Sequence, residues 1–146
     1  MNRCLAPVLM CLPLLVACQP SGEAQNRPVV TDARIALPAV RGRPGAGYFT
    51  IRSSAKTRLI NVSSPRVKRM ELHESMAAGM APLRDAEVCA GDSLEFAPGW
   101  RHAMLFDVDP ALRIGDKVPL TFTFDTAASV TVEAAVQGPG GGNGGR

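Results

Sequence analysis

Residues 29–136 consist of short segments in which apolar and polar side chains alternate, separated by turns rich in glycine and proline. The alternation is clearest in residues 117–125, where Leu120, Phe122 and Phe124 occupy one face and threonines the other. A period of two residues is typical of strands with one buried face, and no stretch shows the period of a long helix. About seven to nine such segments in one chain predict a single all-β domain, a Greek-key β-sandwich or barrel.

The predicted strands lie at residues 29–36, 48–52, 58–62, 67–73, 86–89, 93–96, 102–108, 117–125 and 130–134. Residues 37–47 and 74–83 are predicted to be loops, because each segment contains both glycine and proline. We place the domain at residues 28–136. The residues that follow, 137–146, are mostly glycine and are predicted to be a disordered tail.

The length of 146 residues suits one domain and is short for two. Hydrophobic residues make up 46% of the chain and charged residues 20%, proportions that are ordinary for a folded domain. The net charge of +3 is small, and the chain has one tryptophan and one tyrosine. A surface of basic and aromatic side chains that stacks on bases is therefore not expected, which argues against a nucleic-acid partner.

Residues 1–17 are predicted to be an export signal. Arg3 supplies a positive charge, and the apolar run that follows is too short to span a bilayer as a stable helix. The run ends in Leu-Val-Ala-Cys18, which resembles a bacterial lipobox, whose cysteine is acylated and becomes the first mature residue. An ordinary secretory signal cut near Ala17 is the alternative. We expect Cys18 to be lipidated, residues 18–27 to be a tether, and the lipid to be the means of membrane attachment.

Gln19 follows the predicted lipidated cysteine. It differs from the aspartate that is typical of inner-membrane retention, so we expect a periplasmic domain anchored to the outer membrane of a Gram-negative cell. Cys4 and Cys11 would leave with the leader, and Cys89 would be the free thiol of the mature chain. In an oxidising compartment we expect such a thiol to be buried.

Both histidines of the chain, His73 and His102, lie in one stretch with Met76, Met80 and Met104. Imidazole nitrogens and thioether sulfurs together suit a soft metal ion, best Cu(I), whereas Mg²⁺ and Ca²⁺ prefer oxygen. Met104 is two residues from His102, so their side chains would share one face of a strand. Methionine is also a common filler of core gaps, and from composition and spacing alone a metal site and a structural role both stay open.

The same region resembles the PCuAC family of periplasmic copper chaperones over residues 30–136. The family motif is a histidine, a methionine, twenty-one residues and then His-x-Met, and here residues 81–101 separate Met80 from His102. The other residues that carry the resemblance are Ser63-Ser64-Pro65, Met70-Glu71-Leu72-His73-Glu74, Glu95, Pro98-Gly99, Met104 and the stretch 115–124. The segment from the first histidine to Met80 is a few residues shorter than is usual in the family and carries fewer methionines.

The resemblance implies a cupredoxin-like β-sandwich that binds one Cu(I) through His73, Met80, His102 and Met104. Because the segment before Met80 is short, Met76 stays open as an additional or substitute ligand. Members of the family pass copper to an acceptor, such as an oxidase subunit or another chaperone, typically toward the dinuclear copper centre of cytochrome c oxidase. The resemblance therefore implies a copper chaperone in the periplasm rather than an enzyme.

Three other functions are compatible with parts of the pattern. A blue-copper electron-transfer protein needs a cysteine thiolate near its other ligands, and Cys89 is distant in sequence from the His-Ala-Met triplet. An enzyme needs a base beside its nucleophile or metal; Glu71 and Glu74 flank His73, but acids near a strand end are usually solvated. A metal-free adhesion or scaffold lipoprotein would have the same strands and leader, and its metal content would not change on removal of the triplet's donors.

Overall fold

The computed structural model describes residues 27–140, which form ten β-strands and contain no helix that could span a membrane. The strands are β1 (Val29–Ala36), β2 (Gly45–Arg52), β3 (Thr57–Ser63), β4 (Val67–Met76), β5 (Gly79–Leu83), β6 (Ala86–Val88), β7 (Ser93–Phe96), β8 (Arg101–Val108), β9 (Lys117–Phe124) and β10 (Val130–Gln137). The predicted leader, the predicted tether up to residue 26 and residues 141–146 of the predicted tail lie outside the described residues.

The strands form one sheet in the order β5-β4-β8-β2-β1-β10-β9-β3-β6, and β7 pairs with β2 beside this path. β1 and β10 are parallel, and their neighbours pair antiparallel. β3 also packs beside β4, and β6 beside β7, so that the sheet curls into a nearly closed barrel. The predicted all-β architecture is therefore confirmed. The barrel has an inner face, which forms the core, and an outer face.

The core consists of apolar side chains that alternate along the strands with outward-facing polar ones. β9 has the burial pattern predicted from its sequence, with Leu120, Phe122 and Phe124 buried. The ring of Phe49 stacks on that of Phe96 with centroids 4.4 Å apart and meets the ring of Phe122 edge-on at 4.7 Å. Burial of these rings removes large apolar surfaces from water, which makes the aromatic cluster a main source of stability.

Residues 74–83, predicted to be a loop, instead form a β-hairpin. β4 continues to Met76, β5 begins at Gly79, and two alanines join them. Glycine and proline usually break a strand, but here Gly79 (φ 129°) supplies the turn and Pro82 lies on an edge strand, so the loop prediction is wrong. The hairpin matters because it carries part of the predicted metal site.

β2 begins at Gly45, within a segment predicted to be a loop up to residue 47. A Cβ atom on Gly45 would lie 2.7 Å from the backbone carbonyl oxygen of Ala36, which is closer than such atoms can approach. Glycine is therefore needed for the start of β2 to pair with the end of β1, and the glycines serve close strand packing rather than a loop.

Cys89 is exposed, so the expectation that it is buried is wrong. It directly follows β6, where Val88 points into the core, and the pleat turns the next side chain outward. Its sulfur lies 3.7 Å from a carboxylate oxygen of Glu87. Residues 27–140 contain no second cysteine, so Cys89 has no disulfide partner among them.

The sheet also extends one residue into the predicted tail. Gln137 is the last residue of β10 and pairs in parallel with Ala36 of β1. Its backbone carbonyl accepts a hydrogen bond from the backbone N–H of Leu37 at 3.0 Å. The prediction that the tail begins at residue 137 is therefore wrong for this position, because pairing with β1 holds it in the sheet.

Candidate metal centre

The pairing of β4 with β8 places the two histidines side by side. His73 and His102 are directly opposite each other in the register, and their ring centroids are 6.1 Å apart with the planes inclined at 27°. Residues that face each other across an antiparallel pair project from the same side of the sheet. A metal–imidazole bond is about 2 Å long and lies in the plane of the ring, so the two rings are near enough to share one ion when a nitrogen of each is turned toward it.

Met104 lies on the same face as the histidines. It is two residues after His102 on β8, and the register places it opposite Glu71. Its neighbours Ala103 and Leu105 are fully buried in the core. The face that carries the histidines is therefore the outer face of the barrel, not its interior.

The hairpin distinguishes the two remaining methionines. Met80 pairs with Ser75, which is two residues after His73 and so projects from the same face. Met76 pairs with Gly79 and is three residues after His73, which places its side chain on the opposite face. Both methionines are exposed, Met80 by 58% and Met76 by 60%, so the register and not burial separates them.

Three of the four predicted ligands, Met80, His102 and Met104, line one open cavity of about 320 Å³. Residues from the end of β1 to the first part of β2, and residues 139 and 140 just after β10, are among the others in its wall. His73 does not line this cavity, and its side chain, 13% exposed, lies on β4 between β5 and β8. The structure therefore brings all four residues to one face, with His73 more buried than Met80.

The hydrogen bonds of the histidines decide which ring nitrogens can bind a metal. Nδ1 of His102 is 3.1 Å from the backbone carbonyl oxygen of Trp100, which can only accept, so Nδ1 carries the proton of the neutral ring. The same carbonyl accepts a hydrogen bond from the backbone N–H of Ser75 at 3.3 Å. This arrangement leaves the lone pair of His102 on Nε2.

His73 is held differently. Its Nε2 is 3.3 Å from a carboxylate oxygen of Glu71, whereas its Nδ1 is buried and has no hydrogen-bond partner in the described part of the chain. A buried polar atom without a partner is uncommon and costs about 1–3 kcal/mol. The unpartnered Nδ1 fits a bound metal ion, because coordination would satisfy it.

The charges beside the histidines are paired. Glu71 forms an ion pair with Arg69, and Glu74 forms one with Arg101 at 2.8 Å. Within residues 27–140, no three side chains of His, Cys, Asp or Glu come together as a possible metal site. The His–His–Cys set of a blue-copper protein is therefore not formed among these residues, and the thioethers that share a face with the two imidazoles are donors that suit a soft ion.

Two contributions to the site are not expected from the sequence pattern. As a flanking acid, Glu71 is expected from the sequence to be solvated, but in the structure it contacts the ring of His73. The signal is present in the alternation, since a residue two positions before a histidine on a strand shares its face. Trp100 contributes a backbone carbonyl, which no side-chain pattern reveals.

The chain matches a family model and is similar to a protein of known sequence. Residues 29–136 match the model of the LpqE-like family. The chain is 31% identical over 103 residues to the uncharacterized protein RP573 of Rickettsia prowazekii (strain Madrid E), an alignment that covers 64% of this chain and 57% of the relative. The chain thus spans little more than half the length of that relative.

Solved structures of PCuAC domains have the same fold. The copper-bound PCuAC domain from PmoF2 has a TM-score of 0.69 and 24% identity, covering 80% of this chain and 97% of that domain. The solution structure of Cu(I)-DR1885 from Deinococcus radiodurans has a TM-score of 0.65 and 24% identity, covering 78% of this chain and 81% of that one. The predicted cupredoxin-like fold and the resemblance to the PCuAC family are therefore confirmed at the level of the fold.

Proposed function

This chain belongs to the LpqE-like family, and on that premise we propose that it is a copper chaperone of the periplasm. It binds one Cu(I) through His73, Met80, His102 and Met104 and passes the ion to an acceptor, such as an oxidase subunit or another chaperone. The destination implied by the resemblance to PCuAC proteins is the copper centre of cytochrome c oxidase. The solved domains with this fold include copper-bound forms, which supports the choice of metal.

The observation that carries the proposal is that two imidazoles and two thioethers project from one face of the barrel, its outer face. They come from β4, β5 and β8, and the two imidazoles are 6.1 Å apart. A structural role would place the methionines among core side chains, yet Met80 is 58% exposed and Met104 lines an open cavity beside His102. Filling of the core therefore does not account for these thioethers.

The donor chemistry suits an ion that must be released again. Thioethers favour Cu(I) and bind it without losing a proton, unlike thiols. Met80 lies on β5, an edge strand, and is the most exposed of the four proposed ligands. A ligand of the acceptor can therefore approach from the outer face and replace this methionine first.

We propose a binding protein rather than an enzyme. Both histidines of the chain are assigned as ligands, which leaves neither free to act as a general base. The acids nearest to them, Glu71 and Glu74, are held in ion pairs with arginines. Glu71 contacts a ligand ring and Glu74 only a guanidinium, so neither is placed as a free base for proton transfer to a substrate.

Met80→Leu is expected to weaken Cu(I) binding by about tenfold or more, whereas Met76→Leu should stay within about threefold of the unmodified chain. Leucine conserves the side-chain volume, so both variants keep the fold, and Met76 projects from the other face. Competition with a colorimetric Cu(I) chelator at fixed pH measures both affinities. Equal losses, or a loss in Met76→Leu alone, would refute the assignment of Met80.

We propose that lipidated Cys18 anchors the domain to the outer membrane of a Gram-negative cell through residues 18–27, and the family match to LpqE-like lipoproteins supports this. Cys18→Ser is expected to abolish labelling with radioactive palmitate and to move the protein from the membrane to the soluble fraction. Cys89→Ser is the matched control and should keep both properties. Palmitate labelling of Cys18→Ser at the level of the control would rule the anchor out.

A further inference from the structure

We propose that Glu71 is a positioning residue whose carboxylate holds the ring of His73 so that Nδ1, rather than Nε2, binds the metal. His102 presents Nε2 instead, so the two histidines bind through different ring nitrogens. This inference rests on the proposed function, because it describes how the same site prepares its ligands.

A row of contacts along the outer face of β4 leads to His73. Arg69, Glu71 and His73 are spaced two residues apart on β4, so their side chains share one face. Arg69 forms an ion pair with Glu71. Its guanidinium carbon lies 4.1 Å from the centroid of the ring of Phe106, the residue opposite Arg69 on β8. The aromatic ring restricts the position of the guanidinium by a cation–π contact, and the guanidinium restricts the carboxylate by the ion pair. The carboxylate of Glu71 is therefore positioned by Arg69 on one side and contacts His73 on the other.

The contact between Glu71 and His73 determines where the ring proton lies. An ionised carboxylate can only accept a hydrogen bond, so the nitrogen that faces it must carry the proton. Nε2 of His73 is 3.3 Å from Oε2 of Glu71, which assigns the proton of the neutral ring to Nε2 and the lone pair to Nδ1. That Nδ1 is also the atom that is buried without a hydrogen-bond partner among the described residues. The carboxylate therefore leaves the lone pair on Nδ1, which is the nitrogen that the fold leaves without a hydrogen bond and that can bind the metal.

Glu74 provides a comparison within the same strand. It also flanks His73, but it projects from the opposite face and pairs with Arg101 at 2.8 Å. Each acid places a negative charge near the site, but only Glu71 contacts the ring of a proposed ligand, while Glu74 contacts a guanidinium. Replacing each acid in turn therefore distinguishes the effect of the hydrogen bond on Cu(I) affinity from the effect of the charge.

Long-range ¹⁵N–¹H NMR spectra of the metal-free chain report which ring nitrogen of each histidine carries the proton. At a pH where both rings are neutral, we expect the Nε2–H tautomer for His73 and the Nδ1–H tautomer for His102. On addition of Cu(I), the largest nitrogen shifts should appear at Nδ1 of His73 and at Nε2 of His102.

Glu71→Ala is expected to remove the tautomer preference of His73 and to weaken Cu(I) binding about 10- to 100-fold, the usual effect of losing the partner of a ligand. Glu71→Gln keeps an acceptor oxygen, so it should restore the tautomer and most of the affinity. Glu74→Ala removes the same charge without touching the ring and should stay within about fivefold of the unmodified chain.

An Nδ1–H tautomer of His73 in the metal-free chain, or Cu(I) bound at its Nε2, would overturn this inference and leave the proposed copper function intact. Equal losses of affinity in Glu71→Ala and Glu74→Ala would also overturn it, because charge alone would then explain them. Absence of Cu(I) binding by the unmodified chain would overturn both the inference and the proposed function.

Discussion

Replacing His102 with alanine is expected to weaken Cu(I) binding by more than about a hundredfold at fixed pH. Loss of the partner of a ligand already costs about 10- to 100-fold, and loss of the ligand itself should cost more. Met104→Ala, which removes a thioether two residues along the same strand, is expected to weaken binding sharply as well. Anaerobic competition with a colorimetric Cu(I) chelator measures both variants.

Arg101→Ala is the matched control for these two variants. Arg101 directly precedes His102, but its guanidinium pairs with Glu74 on the opposite face of the strands. Its affinity for Cu(I) should therefore stay within about fivefold of the unmodified chain, and circular dichroism should show that all three variants are folded. Unchanged copper retention by both His102→Ala and Met104→Ala would end the copper-chaperone hypothesis and favour a metal-free lipoprotein.

Phe49→Ala is expected to lower the free energy of unfolding by about 3–5 kcal/mol, because it empties a large volume at the centre of the core. Phe49 is 1% exposed and contacts two other buried rings, those of Phe96 and Phe122. The free energy of unfolding of a small domain is about 5–15 kcal/mol in total, so this change removes a large share of it. Denaturant titration of the purified variant measures the loss.

Phe106→Ala is the control for this change. Phe106 is a half-buried phenylalanine on the outer face of β8, beneath the guanidinium of Arg69. Its removal leaves no cavity in the core, so the cost should be about 1 kcal/mol. A loss at Phe49 no larger than the loss at Phe106 would mean that the aromatic cluster is not the centre of the core.

Most strands could be predicted because burial on one face is a pattern that each segment carries by itself. β1 and β7 have the bounds expected from their sequences, and β9 ends one residue before its predicted end. β5 could not be predicted, since Gly-Met-Ala-Pro-Leu has no clear alternation and contains both residues that usually break strands. Pairing with β4, a contact between segments, makes it a strand.

The candidate site could be predicted as a set of residues but not as an arrangement. Spacing and the PCuAC resemblance name His73, Met80, His102 and Met104 as the expected ligands. Which methionine shares a face with His73 depends on the register of the hairpin, and a shift of one residue would exchange the faces. The role of Glu71 likewise depends on rotamers and on the pairing of β4 with β8, which local sequence does not determine.

X-ray absorption spectroscopy of the chain loaded anaerobically with Cu(I) tests most directly whether the four donors meet on one ion, because it counts nitrogen and sulfur ligands. We expect one copper per chain with two nitrogen and two sulfur ligands, and one sulfur fewer in Met80→Leu. A copper held by nitrogen and oxygen alone, or a chain that retains no copper, would contradict the convergence of His73, Met80, His102 and Met104 on a single metal.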